Sequence, residues 1–129
     1  MPGRELPKPT DAELAILRVL WERGPSTVRD VTEALQAERG TGYTTALKLL
    51  QIMNDKGLVR RDDSRRTHVF AAVASAEVTQ QQLVRDLLAR AFGGSAQQLV
   101  LQALSSQKAS RAELSEIRKL LDEIEKKSK

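Results

Sequence analysis

Thr44, Thr45, Lys48 and Gln51 lie within about two helical turns of one another in the stretch TGYTTALKLLQIMNDKG, residues 41–57. Their shared chemistry is the reading of hydrogen-bonding edges. Threonine can hydrogen-bond and also touch a thymine methyl, glutamine can bond adenine through two contacts, and lysine can reach guanine or phosphate. Such a set works only if one element presents it together. Ala46, Leu49, Leu50 and Met53 recur at the i, i+3, i+4, i+7 spacing of a helix with one buried face, which predicts a helix over 43–56. At about 100° per residue, Thr44, Lys48, Gln51 and Asp55 fall on the opposite side, with Thr45 and Leu47 on the flanks. A duplex major groove admits such a helix, and the N-terminal part of the helix meets base edges. Asp55 sits at the far end, where its charge intrudes least.

The neighbouring charges fit an anionic partner. Net charge is +4, but splitting the chain after Ala74 leaves the same small positive excess in each part, so only local clustering is informative. Arg60, Arg61, Arg65 and Arg66 crowd one short segment, with Lys56 just before it. Arg65 and Arg66 are placed to enter a minor groove or bind flanking phosphates; the plainer reading is that they offset Asp62 and Asp63. Ser26, Thr27 and Arg29 open a preceding helix, where hydroxyls and free N–H groups hold phosphate, although capping alone also accounts for Ser26. Tyr43, at the start of the reading helix, completes the expected backbone-contacting set. Double-stranded DNA is the expected partner. RNA is disfavoured because Trp21, Tyr43, Phe70 and Phe92, the only aromatic residues, form no stacking surface.

Other chemistry is poorly supplied. There is no cysteine, which excludes disulfides, thiolate metal sites and cysteine nucleophiles. The single histidine, His68, is expected in a β-strand with a local packing role. No phosphate-binding glycine loop opens a helix, and the acidic residues are scattered over helix surfaces. The sequence thus predicts no active site, no cofactor and no metal.

The elements that must position these residues can be read in order. Residues 1–9 are proline-rich and read as a flexible arm. Thr10 and Glu13 form a capping box that opens a first helix, with Leu14, Ile16, Leu17, Leu20 and Trp21 facing inward. Gly24-Pro25 stops it. Ser26 or Thr27 caps a second helix, buried through Val28, Val31 and Leu35 and fraying in AERG (residues 37–40). After the reading helix and Gly57, the β-prone runs LVRR and THVFAAV flank the turn-forming DDSR, so a hairpin wing over 58–72 is expected. The predicted fold is mainly α with a small β-hairpin, a winged helix-turn-helix over 10–74. A helical dimerisation region over 75–129 follows it.

That second region has a different character. AEVTQQQLVRDLLARAF gathers Val84, Leu87, Leu88 and Ala91 on one face, with Phe92 before Gly93-Gly94. Ser95 caps AQQLVLQAL. Ser110 and Glu113 form another capping box, after which Leu114, Ile117, Leu121 and Ile124 recur as a narrow coiled-coil seam. A terminal helix has little left to pack on in a short chain. Leu87, Leu88, Phe92 and the four seam residues are therefore expected at a homodimer interface, and two-fold symmetry calls for an inverted-repeat DNA site.

These same segments resemble the penicillinase-repressor family (BlaI/MecI/CopY type) from Thr10 to the C-terminus. The resemblance is carried by LAILRVLWERGPSTVRDVTEAL with its Trp21, Gly24 and Pro25 turn, and by YTTALKLLQIMNDKGLV. FGGSAQQLVLQAL followed by SRAELSEIRKLLDE extends it. It implies a homodimeric transcriptional repressor on an inverted-repeat operator, with contact positions at Thr44, Thr45, Lys48 and Gln51 and a wing marked by Arg65 and Arg66. Leu47 stands where some relatives are basic. In the best-known relatives a membrane sensor protease triggers cleavage at an asparagine–aromatic bond of the dimerisation segment. Gln102 and Ala103 stand at the matching positions here, a departure in both side chains. Copper-responsive relatives use C-terminal cysteines, and none is present. The rival reading is a winged-helix protein-interaction module without sequence-specific DNA binding. No apolar run approaches the roughly 18 residues of a membrane span and the first residues lack a signal-peptide core, so a cytoplasmic location without membrane insertion is expected.

Overall fold

The computed structural model describes residues 7–128. Of the expected arm, residues 1–6 lie outside the described residues; Pro7–Pro9 have no regular secondary structure, and Pro9 is buried. The chain divides into two compact units, one ending at Val84 and the other starting at Arg85. That division falls inside a helix.

In the first unit, Thr10 caps α1 (Asp11–Arg23) through the expected box with Glu13. Its buried face is set by Ile16, Leu17, Val19 and Leu20, while Leu14 and Trp21 are half-buried and flank it. Trp21 is held by its indole N–H, which donates to the Ala74 carbonyl at 3.0 Å. Gly24 has φ 86° and ψ −168°, a conformation open essentially to glycine alone, and it turns the chain sharply. Thr27 is then the cap of α2 (Val28–Arg39), in a box closed by Asp30. The helix does not fray in AERG: it runs through Arg39 and ends on Gly40 in the left-handed conformation. The last turn is exposed and polar, so it is stabilised by backbone bonds and the C-cap, not by burial.

α3 (Tyr43–Lys56) has the predicted bounds and buries Ala46, Leu50 and Met53 completely, with Leu49 half-buried. Gly57, at φ 87° and ψ 14°, terminates it, and the Leu58 N–H returns to the Met53 carbonyl at 2.9 Å. The wing pairs β1 (Val59–Asp62) with β2 (Val69–Ala72) in antiparallel register, Val59 opposite Ala72 and Arg61 opposite Phe70. β2 is shorter than the THVFAAV run, which places His68 in the loop before it, not in the strand. A third segment joins them. Ser26 forms an antiparallel bridge with Phe70, its N–H donating to the Phe70 carbonyl at 2.9 Å and its carbonyl accepting from the Phe70 N–H at 2.8 Å. Phe70 belongs to a core that also takes Leu17, Val31, Leu35, Leu50, Met53, Leu58 and Val59. The fold is a winged helix-turn-helix: three helices, a hairpin and the bridging residue before the second helix.

α4 (Ala76–Ala91) begins in the first unit, where Thr79 is buried. The second unit contains the end of α4, then α5 (Ala96–Ser106), capped by Ser95, and α6 (Arg111–Lys127), capped by the Ser110–Glu113 box. Among its described residues none is buried. Leu88, Phe92, Leu114 and Ile117 are half-buried, whereas Leu87, Val100, Leu101, Leu104, Leu120, Leu121 and Ile124 are exposed, the last two at 54% and 51%. Among the described residues no helix is long and apolar enough to cross a membrane.

Candidate nucleic-acid interface

The α2–α3 pair and the wing leave three features on one unit: the outward side of α3, the first turn of α2, and the wing tip. Burial of Ala46, Leu50 and Met53 fixes which way α3 faces. Thr44, Thr45, Lys48 and Gln51 are accordingly exposed, and Tyr43 at the first turn is 53% exposed. The N-cap of α3 is Gly42, which provides no side-chain hydrogen bond.

At α2, the Thr27 hydroxyl accepts from the Asp30 N–H at 3.1 Å, while the Asp30 carboxylate accepts from the Thr27 N–H at 3.0 Å. The box thus engages both the N–H and the hydroxyl of Thr27 with Asp30. Arg29 beside it is exposed and makes no ion pair among the described residues. Ser26 departs from the expected phosphate-contacting set. It is 3% exposed, and its hydroxyl donates to the Gly24 carbonyl at 2.8 Å, so its side chain is spent on the turn.

On the wing, Asp62 accepts the Ser64 N–H at 2.9 Å, and the bonds from Ser64 hold its carboxyl below the usual range. Asp63 takes Arg61 at 2.8 Å and lies 3.6 Å from the His68 ring. The two aspartates are thus engaged by Ser64 and Arg61. Arg65 and Arg66 are exposed and form no ion pair among the described residues. Lys56 differs from the other cations: its ammonium lies 2.8 Å from the buried Glu13 carboxylate, so it does not add to the wing's free charge.

A cleft of about 770 Å³ runs between α2, α3 and the wing. It gathers Thr27, Arg29, Tyr43 and Gln51 from the expected set, together with Leu47, Arg61, Thr67 and His68. Thr44, Thr45 and Lys48 lie on the exposed side of α3 beyond its lining, and so do Arg65 and Arg66 at the wing tip. Thr67 and His68 were not expected in this set; no local signal marks them, because the wing loop brings them there. No group of three or more metal-ligating side chains converges among the described residues.

Besides Asp62 on the wing, two more carboxylates of this unit are favoured in the charged form by the fold. Burial works against a charged Glu13, but hydrogen bonds from Lys56 and Thr10 outweigh it and hold its pKa below the ordinary value. The backbone and hydroxyl bonds of Thr27 do the same for Asp30. Groups depressed in the folded state contribute stability that is complete above their unfolded pKa and is lost as pH falls through the folded one. The thermal midpoint should therefore be flat above about pH 5 and fall steadily below about pH 4. A Glu13→Gln, Asp30→Asn double variant should be less stable at neutral pH with a shallower acid limb. Melts followed by circular dichroism from pH 3 to 7 check this, and an equally steep limb in the variant would assign the acid sensitivity to other groups.

The penicillinase repressor pattern matches residues 9–123 of the chain. The "Transcriptional regulator BlaI" of Mycobacterium tuberculosis (strain CDC 1551 / Oshkosh) is 38% identical over 92 residues, covering 70% of this chain and 67% of that relative. The "Penicillinase repressor" of Staphylococcus aureus is 19% identical over 116 residues, which cover 90% of this chain and 92% of the relative. The fold is similar to a solution structure of the DNA-binding domain of the repressor BlaI, with a TM-score of 0.51 and 20% identity over 58% of this chain and 92% of that one. It is similar also to the solution structure of the Bacillus licheniformis BlaI monomeric form in complex with the blaP half-operator. There the TM-score is 0.51 at 20% identity, over 57% of this chain and 90% of that one. A match that begins at the α1 cap, runs through the wing and ends inside α6 makes the chain a member of the penicillinase repressor family of transcriptional regulators.

Proposed function

We propose that this chain represses transcription as a homodimer that reads an inverted-repeat operator in duplex DNA through α3 and the wing. One observation carries the reading: the outward side of α3 presents Thr44, Lys48 and Gln51 without using them in the fold, beside arginines whose neighbouring aspartates are engaged elsewhere. Thr44, Thr45, Lys48 and Gln51 take base edges. Tyr43, Thr27, Arg29, Arg65 and Arg66 hold the backbone and set the register. The likeness of the fold to a BlaI form solved with a half-operator supports a DNA partner.

The dimer reading is supported by the second unit, whose apolar side chains lack a core of their own. Leu87, Leu88, Phe92, Leu114, Ile117, Leu121 and Ile124 would pack against a second copy, linking two reading heads. Half-sites would then lie about one helical turn, roughly 34 Å, apart or somewhat more. Relief of repression would follow when that link is cut. Gln102 and Ala103 are exposed on α5, and a break there would separate α6 from the reading head. A membrane sensor protease is the partner that the family resemblance suggests, although Gln102 and Ala103 differ from the asparagine–aromatic pair cut in the best-known relatives.

Selection of bound sequences from a random duplex pool, at low and at physiological salt, tests the reading. Recovery of one inverted repeat is the expected result. On that duplex, Lys48→Ala or Gln51→Ala should weaken binding by about 1–3 kcal/mol and relax preference at one base position. Replacing Arg65 and Arg66 together by alanine should lower affinity for all sequences and reduce the salt slope by about 2. Enrichment of no sequence would remove the DNA reading and favour a protein-interaction module.

A further inference from the structure

Glu13 is 2% exposed, and no part of the DNA reading uses it. Its two carboxylate oxygens serve two different elements. Oε1 accepts the Thr10 N–H at 2.9 Å and so closes the cap of α1; Oε2 accepts from Lys56 Nζ at 2.8 Å. Lys56 is the last residue of α3. A single buried carboxylate thus ties the first turn of α1 to the final turn of the helix that presents Thr44, Lys48 and Gln51. We propose that the Glu13–Lys56 pair is a positioning device that sets the rotation and slide of α3, and through them the fidelity of base reading. The proposal rests on the DNA reading above.

The physical argument compares the two kinds of contact that hold α3. Ala46, Leu50 and Met53 are completely buried, but apolar burial is non-directional and tolerates small rotations of an aliphatic stripe. A hydrogen-bonded ion pair is directional, and because Glu13 is desolvated the pair cannot be exchanged cheaply for water. Lys56 keeps its side chain 37% exposed, so only one partner is buried, and the other reaches it from the helix end. Base-edge hydrogen bonds are confined to about 2.7–3.2 Å, so a shift of α3 by about 1 Å is enough to break one. Contacts to phosphates, made by long flexible cations, survive such a shift. Loss of the pair should therefore erode discrimination more than it erodes general affinity.

The test uses the full chain, the duplex recovered by the selection and an unrelated duplex of equal length, at one salt concentration. Glu13→Gln and Lys56→Met are each expected to lower the ratio of the two affinities by about 10-fold, the size of one lost base contact. The two variants change charge in opposite senses, so their affinities for the unrelated duplex should move in opposite directions. A common fall in the ratio therefore cannot come from charge alone. Lys56→Arg should restore most of the ratio. Thr10→Ala removes the cap hydroxyl that accepts from the Glu13 N–H but leaves both carboxylate contacts; it should lower the melting midpoint and leave the ratio unchanged. Ratios within about two-fold of the unmodified chain for the folded variants overturn the proposal. So does an equal fall in Thr10→Ala, which would make the effect one of stability. If Glu13→Gln does not fold, Lys56→Met, whose apolar stem is retained, decides with Lys56→Arg. An unmodified chain without any preference would instead refute the DNA reading.

Discussion

A chain ending at Gln102 should bind a two-half-site operator about 10²–10⁴-fold more weakly than the full chain, while binding a single half-site equally well. The effect is large because nothing in the reading head is altered. Joining two heads makes the second binding event intramolecular, and the linked copy then binds at an effective concentration in the millimolar range. Truncation removes α6, whose Leu114, Ile117, Leu121 and Ile124 form the proposed seam. A milder route to the same end is Leu121→Glu with Ile124→Glu. These side chains are 54% and 51% exposed in the single chain, so the substitutions should leave it folded and abolish only the association. Sedimentation and titration of both duplexes check the pair of expectations. A truncated chain that held the full operator as tightly as the intact one would sink both the dimer and its proteolytic relief.

Replacing Phe70 by alanine should cost about 3–5 kcal/mol, a large share of the roughly 5–15 kcal/mol that holds a typical domain folded. Phe70 is 1% exposed and is among the largest fully buried side chains. Its backbone is also the meeting point of three segments, paired with Arg61 on β1 and with Ser26 ahead of α2. Truncation would open a cavity in the core that Phe70 shares with Leu17, Val31, Leu50 and Val59, and the backbone pairs cannot close around it without moving the wing. Denaturant unfolding of the variant gives the cost directly. A loss below about 1 kcal/mol would mean that the core collapses freely around the site. Phe70→Leu, which keeps most of the volume, should lose far less.

The parts legible in the sequence were those written in local pattern. The apolar recurrence of Ala46, Leu50 and Met53 was enough to bound α3 at Tyr43 and Lys56 and to decide which side chains it would expose. The Thr10–Glu13 and Ser110–Glu113 boxes announced two helix starts because each is a reciprocal pair three residues apart. What escaped was long-range or polar. Glu13 read as a cap residue; its burial and its bond to Lys56 join positions 43 residues apart, and neither end carries a local mark. Ser26 read as a surface hydroxyl, yet its backbone completes the small sheet through Phe70, a pairing too short to have a strand signature. The last turn of α2 carries no sequence signal of its own, because exposed AER is helical only by continuation and by its glycine cap. His68 stands one residue ahead of the strand, outside it, because β-propensity does not say where a loop ends.

The second unit leaves many of its apolar side chains exposed and fully buries none of them. On the dimer reading, this turns abundance into a structural variable. At few copies per cell the heads act singly and hold DNA loosely. Past the association threshold each new molecule also recruits another, so occupancy climbs more steeply than synthesis. The same arithmetic runs in reverse. A modest fall in intact copies empties the operator faster than it empties the cell, and a graded loss of protein is read out as a sharp change in transcription.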